Sequence, residues 1–137
     1  VASVDAAVRA GVAAAGGEGV VEHFVLANLH EQIMPTILGK GPKRDIESLG
    51  VIETASAAAI VEAADAACKA APVSLVTVHL ANHIGGKGYA TFTGSVADVE
   101  ASVAAGGRGA ERGLVDSVVI PNPYPELTAY LKRKIEW

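Results

Sequence analysis

The chain has 137 residues, enough for one ordinary domain with a real core or for one domain and a piece of another. Half of its residues are apolar, but only one Trp, three Tyr and two Phe are aromatic, so alanine and valine carry the core and helices can approach closely. A net charge of −4 gives no basic field to attract nucleic acid, and a single cysteine, Cys68, excludes an internal disulfide. No apolar run approaches the ~20 residues that a membrane span requires, which points to neither a membrane nor a secretory leader.

Taken in order, Val1, Val4, Val8 and Val12 recur at helical spacing with no capping residue before them, so the chain opens inside an amphipathic helix. An internal repeat explains this. Val1–Gly11 lines up with Val96–Gly106 at an offset of 95 positions, and Val20–Asn28 lines up with Leu114–Asn122 at an offset of 94. In the second copy Ser95, followed by Asp98, supplies the capping pattern that the first lacks. The expectation is that residues 1–38 are the later part of a first copy, that the rest of that copy exists elsewhere, and that a strand at about Val20–Leu26 and a short helix at about Glu31–Leu38 follow the first helix.

Residues 39–47, which hold glycine, proline and charge without apolar period, read as a linker. A complete unit then occupies 48–137. Ser48–Glu53 is a short strand; Ser56–Ala70 is a helix with Ile60, Ala63, Ala64 and Ala67 inward, stopped by Pro72. Val73–Thr93 is a hairpin, with Val76, Val78 and Leu80 alternating against Thr77 and His79 before the turn, and Ala90 and Phe92 alternating against Tyr89 and Thr91 after it. The turn, Asn82-His83-Ile84-Gly85-Gly86-Lys87, is longer than a tight hairpin needs, and its paired glycines permit close approach to another surface. A Ser95–Ala105 helix, a glycine-rich turn through Gly113, a Leu114–Ile120 strand, a Pro-Asn-Pro-Tyr-Pro exit and a terminal helix complete the unit.

Strand, helix, strand, strand, helix, strand is the ferredoxin-like, split βαβ order of an α+β fold. Two helices would cover one face of a four-stranded sheet, leaving the other face and the strand edges to be covered by oligomerisation.

The candidate chemistry is thin. His23, His30, His79 and His83 have no partners at ligand spacing and read as surface histidines. Gly85-Gly86-Lys87-Gly88 lacks phosphate-loop spacing and leads into a strand. Cys68 is a small packing residue, and Glu53, Glu62 and Asp65 are solvated charges rather than a catalytic pair. Lys69 sits where a cation favours the helix C-terminus. No constellation supports an enzyme.

Four motifs in register carry a resemblance. Leu49-Gly50-Val51-Ile52-Glu53-Thr54, Ala63–Ala70, Ile84-Gly85-Gly86-Lys87 and Val119-Ile120-Pro121-Asn122-Pro123 resemble the shell-protein domain of bacterial microcompartments, and the repeat resembles its tandem-domain, trimer-forming subclass. The resemblance implies a structural tile in a cytoplasmic microcompartment shell. Three chains would form a pseudo-hexamer that packs against other shell tiles around enclosed enzymes. It places Asn82, His83, Ile84, Gly85, Gly86 and Lys87 at a central pore for small metabolites, with His83 and Lys87 tolerant of anions. It places Lys69 at the tile edge with Asn122 and Asn28, the last two standing where the family commonly has arginine. No cofactor is evident; an iron–sulfur cluster, held by a first-domain pore-loop cysteine in some members, stays open because that loop is not in this chain. The alternative is a regulatory trimer of the same fold, with the glycine turn binding a small effector.

Overall fold

β1 (Ser48–Thr54) is the strand on which the sheet is built. It pairs antiparallel with β3 (Gly88–Gly94) on one side and with β4 (Leu114–Pro121) on the other, and β2 (Ser74–Leu80) completes the order β2-β3-β1-β4. This is the antiparallel sheet expected of the split βαβ order. The computed structural model describes residues 1–42, 44–110 and 112–131. Before the sheet come α1 (Ala2–Ala15), a 3-10 turn at Gly17–Gly19 and α2 (Ile33–Ile37); α3 (Ala57–Ala70), α4 (Val96–Gly109) and α5 (Pro125–Leu131) lie within and after it.

Successive strand residues face opposite sides, so Gly50 and Ile52 of β1 share a face with their partners Phe92 and Ala90 on β3. That face is covered by α3 and α4. Ile52, Phe92, Ala90, Ile60, Ala63, Ala64, Ala67 and Val99 are fully buried there. The two helices begin as their sequences dictate. Ser56 Oγ accepts from the Ala59 N–H, and Ser95 Oγ accepts from the Asp98 N–H while donating to the Asp98 carboxylate at 2.7 Å. Ala71, extended before Pro72, closes α3.

Four expectations need correction. α4 does not stop at Ala105 but continues through Gly106 to Gly109. A Cβ at Gly106 would lie 2.8 Å from the Ala63 carbonyl oxygen, and one at Gly109 would lie 2.8 Å from Ala66 Cβ. The glycines therefore allow α4 to lie against α3 rather than ending it.

The alternation in β2 is also interrupted. Leu75 pairs with Phe92 and Thr77 with Thr91, so Val76 is the extra residue of a bulge, and Leu75 and Val78 rather than Val76 enter the core.

Residues 20–26 form no strand. Their repeat equivalents in β4 are held by a ladder to β1, and no described strand lies beside 20–26 to form one.

The start of the β2 edge is covered within the chain itself, before any contact with another copy. The Gln32 side chain donates to the Val73 carbonyl at 3.0 Å and accepts from the Leu75 N–H at 2.8 Å, imitating a neighbouring strand along β2. Beside it, Ile33 is fully buried in the core.

Candidate functional site

The hairpin turn is built from strained and permissive backbone together. Gly85 and Gly86 take positive φ of 67° and 85°, and so do Ala81 at 56° and His83 at 59°. A side-chain-bearing residue in that region costs about 1 kcal/mol or more, so something must hold it there. The Ala81 N–H donates to the Lys87 carbonyl at 2.9 Å, and the Ala81 carbonyl accepts from Ile84 and Gly86. His79 adds a brace from the adjoining strand. Its Nε2 lies 2.6 Å from the Asn82 carbonyl, which can only accept, so this ring nitrogen carries the proton. The ring is stacked on Tyr89 across the hairpin at a centroid distance of 5.1 Å.

The turn projects outward. Asn82, His83, Gly85, Gly86 and Lys87 are exposed and Ile84 is half-buried. The structure thus keeps the six expected residues together on one exposed loop. Lys87, however, is not simply presented to solvent: its Nζ lies 2.9 Å from Glu53 Oε1 on β1. Behind it Tyr89 titrates above its ordinary value of 10.0, because burial disfavours the phenolate and Tyr130 adds to the effect.

The other expected residues lie elsewhere. Lys69, at the end of α3, donates to the Asn28 carbonyl at 2.5 Å and to Asp65 Oδ2 at 2.6 Å. Asp65 is not the solvated charge expected from its place in the sequence but is buried, because the His30 N–H at 2.8 Å and the Lys69 ammonium satisfy its two oxygens. Lys69 and Asn28 are therefore brought together at one corner, with Asp65 pinning the chain that enters α2. Asn122 is exposed after β4 at a φ of 47°, a conformation asparagine tolerates better than most residues. The Asp65–Lys69 pair is one helical turn apart and legible in sequence, but the Asp65 bond to His30 and the Gln32 bonds to Val73 and Leu75 join residues 35 and 41 or more positions apart and carry no sequence signal.

Two titrating groups give direct predictions. Burial pushes the Cys68 thiol up to about 12, with the Asp65 charge adding to it. Native protein is expected to resist a thiol reagent at neutral pH and to label one equivalent on unfolding; rapid native labelling would contradict the burial.

Glu62 faces a cleft of about 680 Å³ shared with Glu22, His23, Arg108 and Arg112. Its carboxyl titrates above the ordinary 4.5, first because of desolvation and then because of Glu22. The folded state therefore holds this proton more tightly than the unfolded chain, so the Glu62 contribution to stability falls as pH rises from about 4.5 through the native pKa. Glu62→Gln is expected to flatten the stability profile in that window and to be no less stable than wild type at pH 7. An unchanged slope in urea titrations across the window would contradict this.

The BMC domain matches residues 48–123. The chain is 40% identical over 129 residues to the bacterial microcompartment shell protein PduT of Citrobacter freundii, covering 93% of this chain and 70% of that protein. It is 43% identical over 84 residues to the shell protein EutM of Salmonella typhimurium, covering 60% of this chain and 85% of that one. A crystal structure of a microcompartment protein from Desulfitobacterium hafniense superposes with a TM-score of 0.81 at 43% identity, covering 94% of this chain and 72% of that one. With the split βαβ sheet, the exposed glycine turn and these relatives in agreement, the chain belongs to the BMC-domain family of bacterial microcompartment shell proteins.

Proposed function

We propose that the protein is a non-enzymatic tile of a cytoplasmic microcompartment shell, in which three chains close into a pseudo-hexagonal ring. Residues 1–38 would be the later part of a first shell domain and residues 48–137 a complete second one, joined by 39–47. The observation that carries this is the internal repeat, with Val1–Gly11 matching Val96–Gly106 and Val20–Asn28 matching Leu114–Asn122, in a chain that resembles a shell protein over nearly its whole length. Two domains per chain make a ring of six from three subunits.

In such a ring the 82–87 turn borders the central opening, where left-handed backbone and two glycines let several loops meet closely. Lys69, Asn122 and Asn28 lie at the perimeter and meet neighbouring tiles; the inner surface meets the enclosed enzymes. The test is native mass spectrometry beside the denatured mass of the same sample. Three subunits per particle is the expected result; a monomer or a dimer would overturn the ring.

A further inference from the structure

Lys87 carries the only permanent charge among residues 82–87, so by sequence the turn would attract anions. The sheet behind it changes that balance. Glu53, whose Oε1 lies 2.9 Å from Lys87 Nζ, stands opposite Tyr89 on β3 and opposite Asp116 on β4, and His79 on β2 stands opposite Tyr89. One row on one sheet face thus reads His79, Tyr89, Glu53, Asp116, with two carboxylates side by side against a single ammonium. Carboxylates directly opposite each other repel, and Lys87 is the cation drawn to them. The pair is half-exposed, 46% for the Lys87 side chain and 41% for Glu53, so its contact contributes little to folding. The summed field of these charges at the turn does not depend on a permanent contact.

We infer that Glu53 sets the charge selectivity of the turn, by neutralising Lys87 from the sheet with Asp116 behind it. The opening then favours neutral polar solutes and cations over anions. This rests on the turn bordering a pore, as proposed above.

The experiment is the reversal potential of the assembled protein in a planar bilayer under a potassium chloride gradient, for wild type, E53Q, K87Q and the double variant. One charge removed a few ångströms from a passing ion shifts its partition by about threefold in water. Because that shift favours chloride as much as it disfavours potassium, E53Q is expected to raise the chloride-to-potassium permeability ratio by about tenfold, K87Q to lower it, and the double variant, whose net charge equals that of wild type, to return close to the starting value. D116N, at an exposed position, is expected to raise the ratio as well, and decides the matter if E53Q does not fold. A ratio that moves with K87Q but with neither E53Q nor D116N would overturn the role of Glu53 and leave the pore standing. A ratio that no variant moves would overturn the pore assignment and this inference with it.

Discussion

Gly106→Ala is expected to destabilise the protein by about 1–3 kcal/mol, although alanine is the better helix former by about 1 kcal/mol. The sign is decided by space. A Cβ at this position lies 2.5 Å from Ile52 Cδ1 and 2.8 Å from the Ala63 carbonyl oxygen. The isoleucine methyl can swing aside, but the carbonyl is α3 backbone and can yield only if the two helices part. The next residue is the control. At Gly107 a Cβ would meet Leu114 Cδ2 at an ordinary 3.5 Å, so Gly107→Ala keeps the helix gain and is expected to stabilise by about 0.5–1 kcal/mol. Thermal and urea melts of the two variants should move in opposite directions. If Gly106→Ala melts at or above wild type, α4 does not lie against α3 as described.

The second large effect is on assembly. Lys69→Asp is expected to stop the protein from growing into extended layers at high concentration, while Lys69→Arg still forms them. The lysine is held within its own chain, against Asp65 and the Asn28 carbonyl, at a corner where its side chain remains 43% exposed. An aspartate there removes the cation from a buried carboxylate and adds a second negative charge one helical turn away. A fold penalty of about 1–3 kcal/mol accompanies the change, visible as a lower melting temperature. Electron microscopy of concentrated samples that remain folded reads the edge separately from the fold. Layers from Lys69→Asp as extensive as those of wild type would show that this corner is not a tile edge.

Much of this architecture was legible because it is decided locally. Ser56 and Ser95 announce the starts of α3 and α4, alternation around Ala90 and Phe92 marks β3, and the spacing of Ile60, Ala63, Ala64 and Ala67 fixes the buried face of α3. What escaped is decided by partners distant in the chain. Val20–Leu26 has the pattern of a strand, but a strand exists only with a ladder beside it. The bulge at Val76 is a matter of register with β3, which no alternation within β2 records. Glycine normally signals the end of a helix; in α4 it signals contact with α3. At the turn, composition located the exposed residues correctly, yet it could not pair Lys87 with Glu53, because that requires knowing which sheet face each side chain shares.

The measurement that bears most directly on a shell role is recovery of the tagged protein with intact microcompartments purified from a bacterium that makes them. Its amount is compared with that of the other shell proteins, and Lys69→Asp is run in parallel. A structural tile co-purifies with the shell in stoichiometric amounts and is lost from it, or sharply reduced, on Lys69→Asp. A protein that stays in the soluble fraction while shells form normally around it would contradict the account.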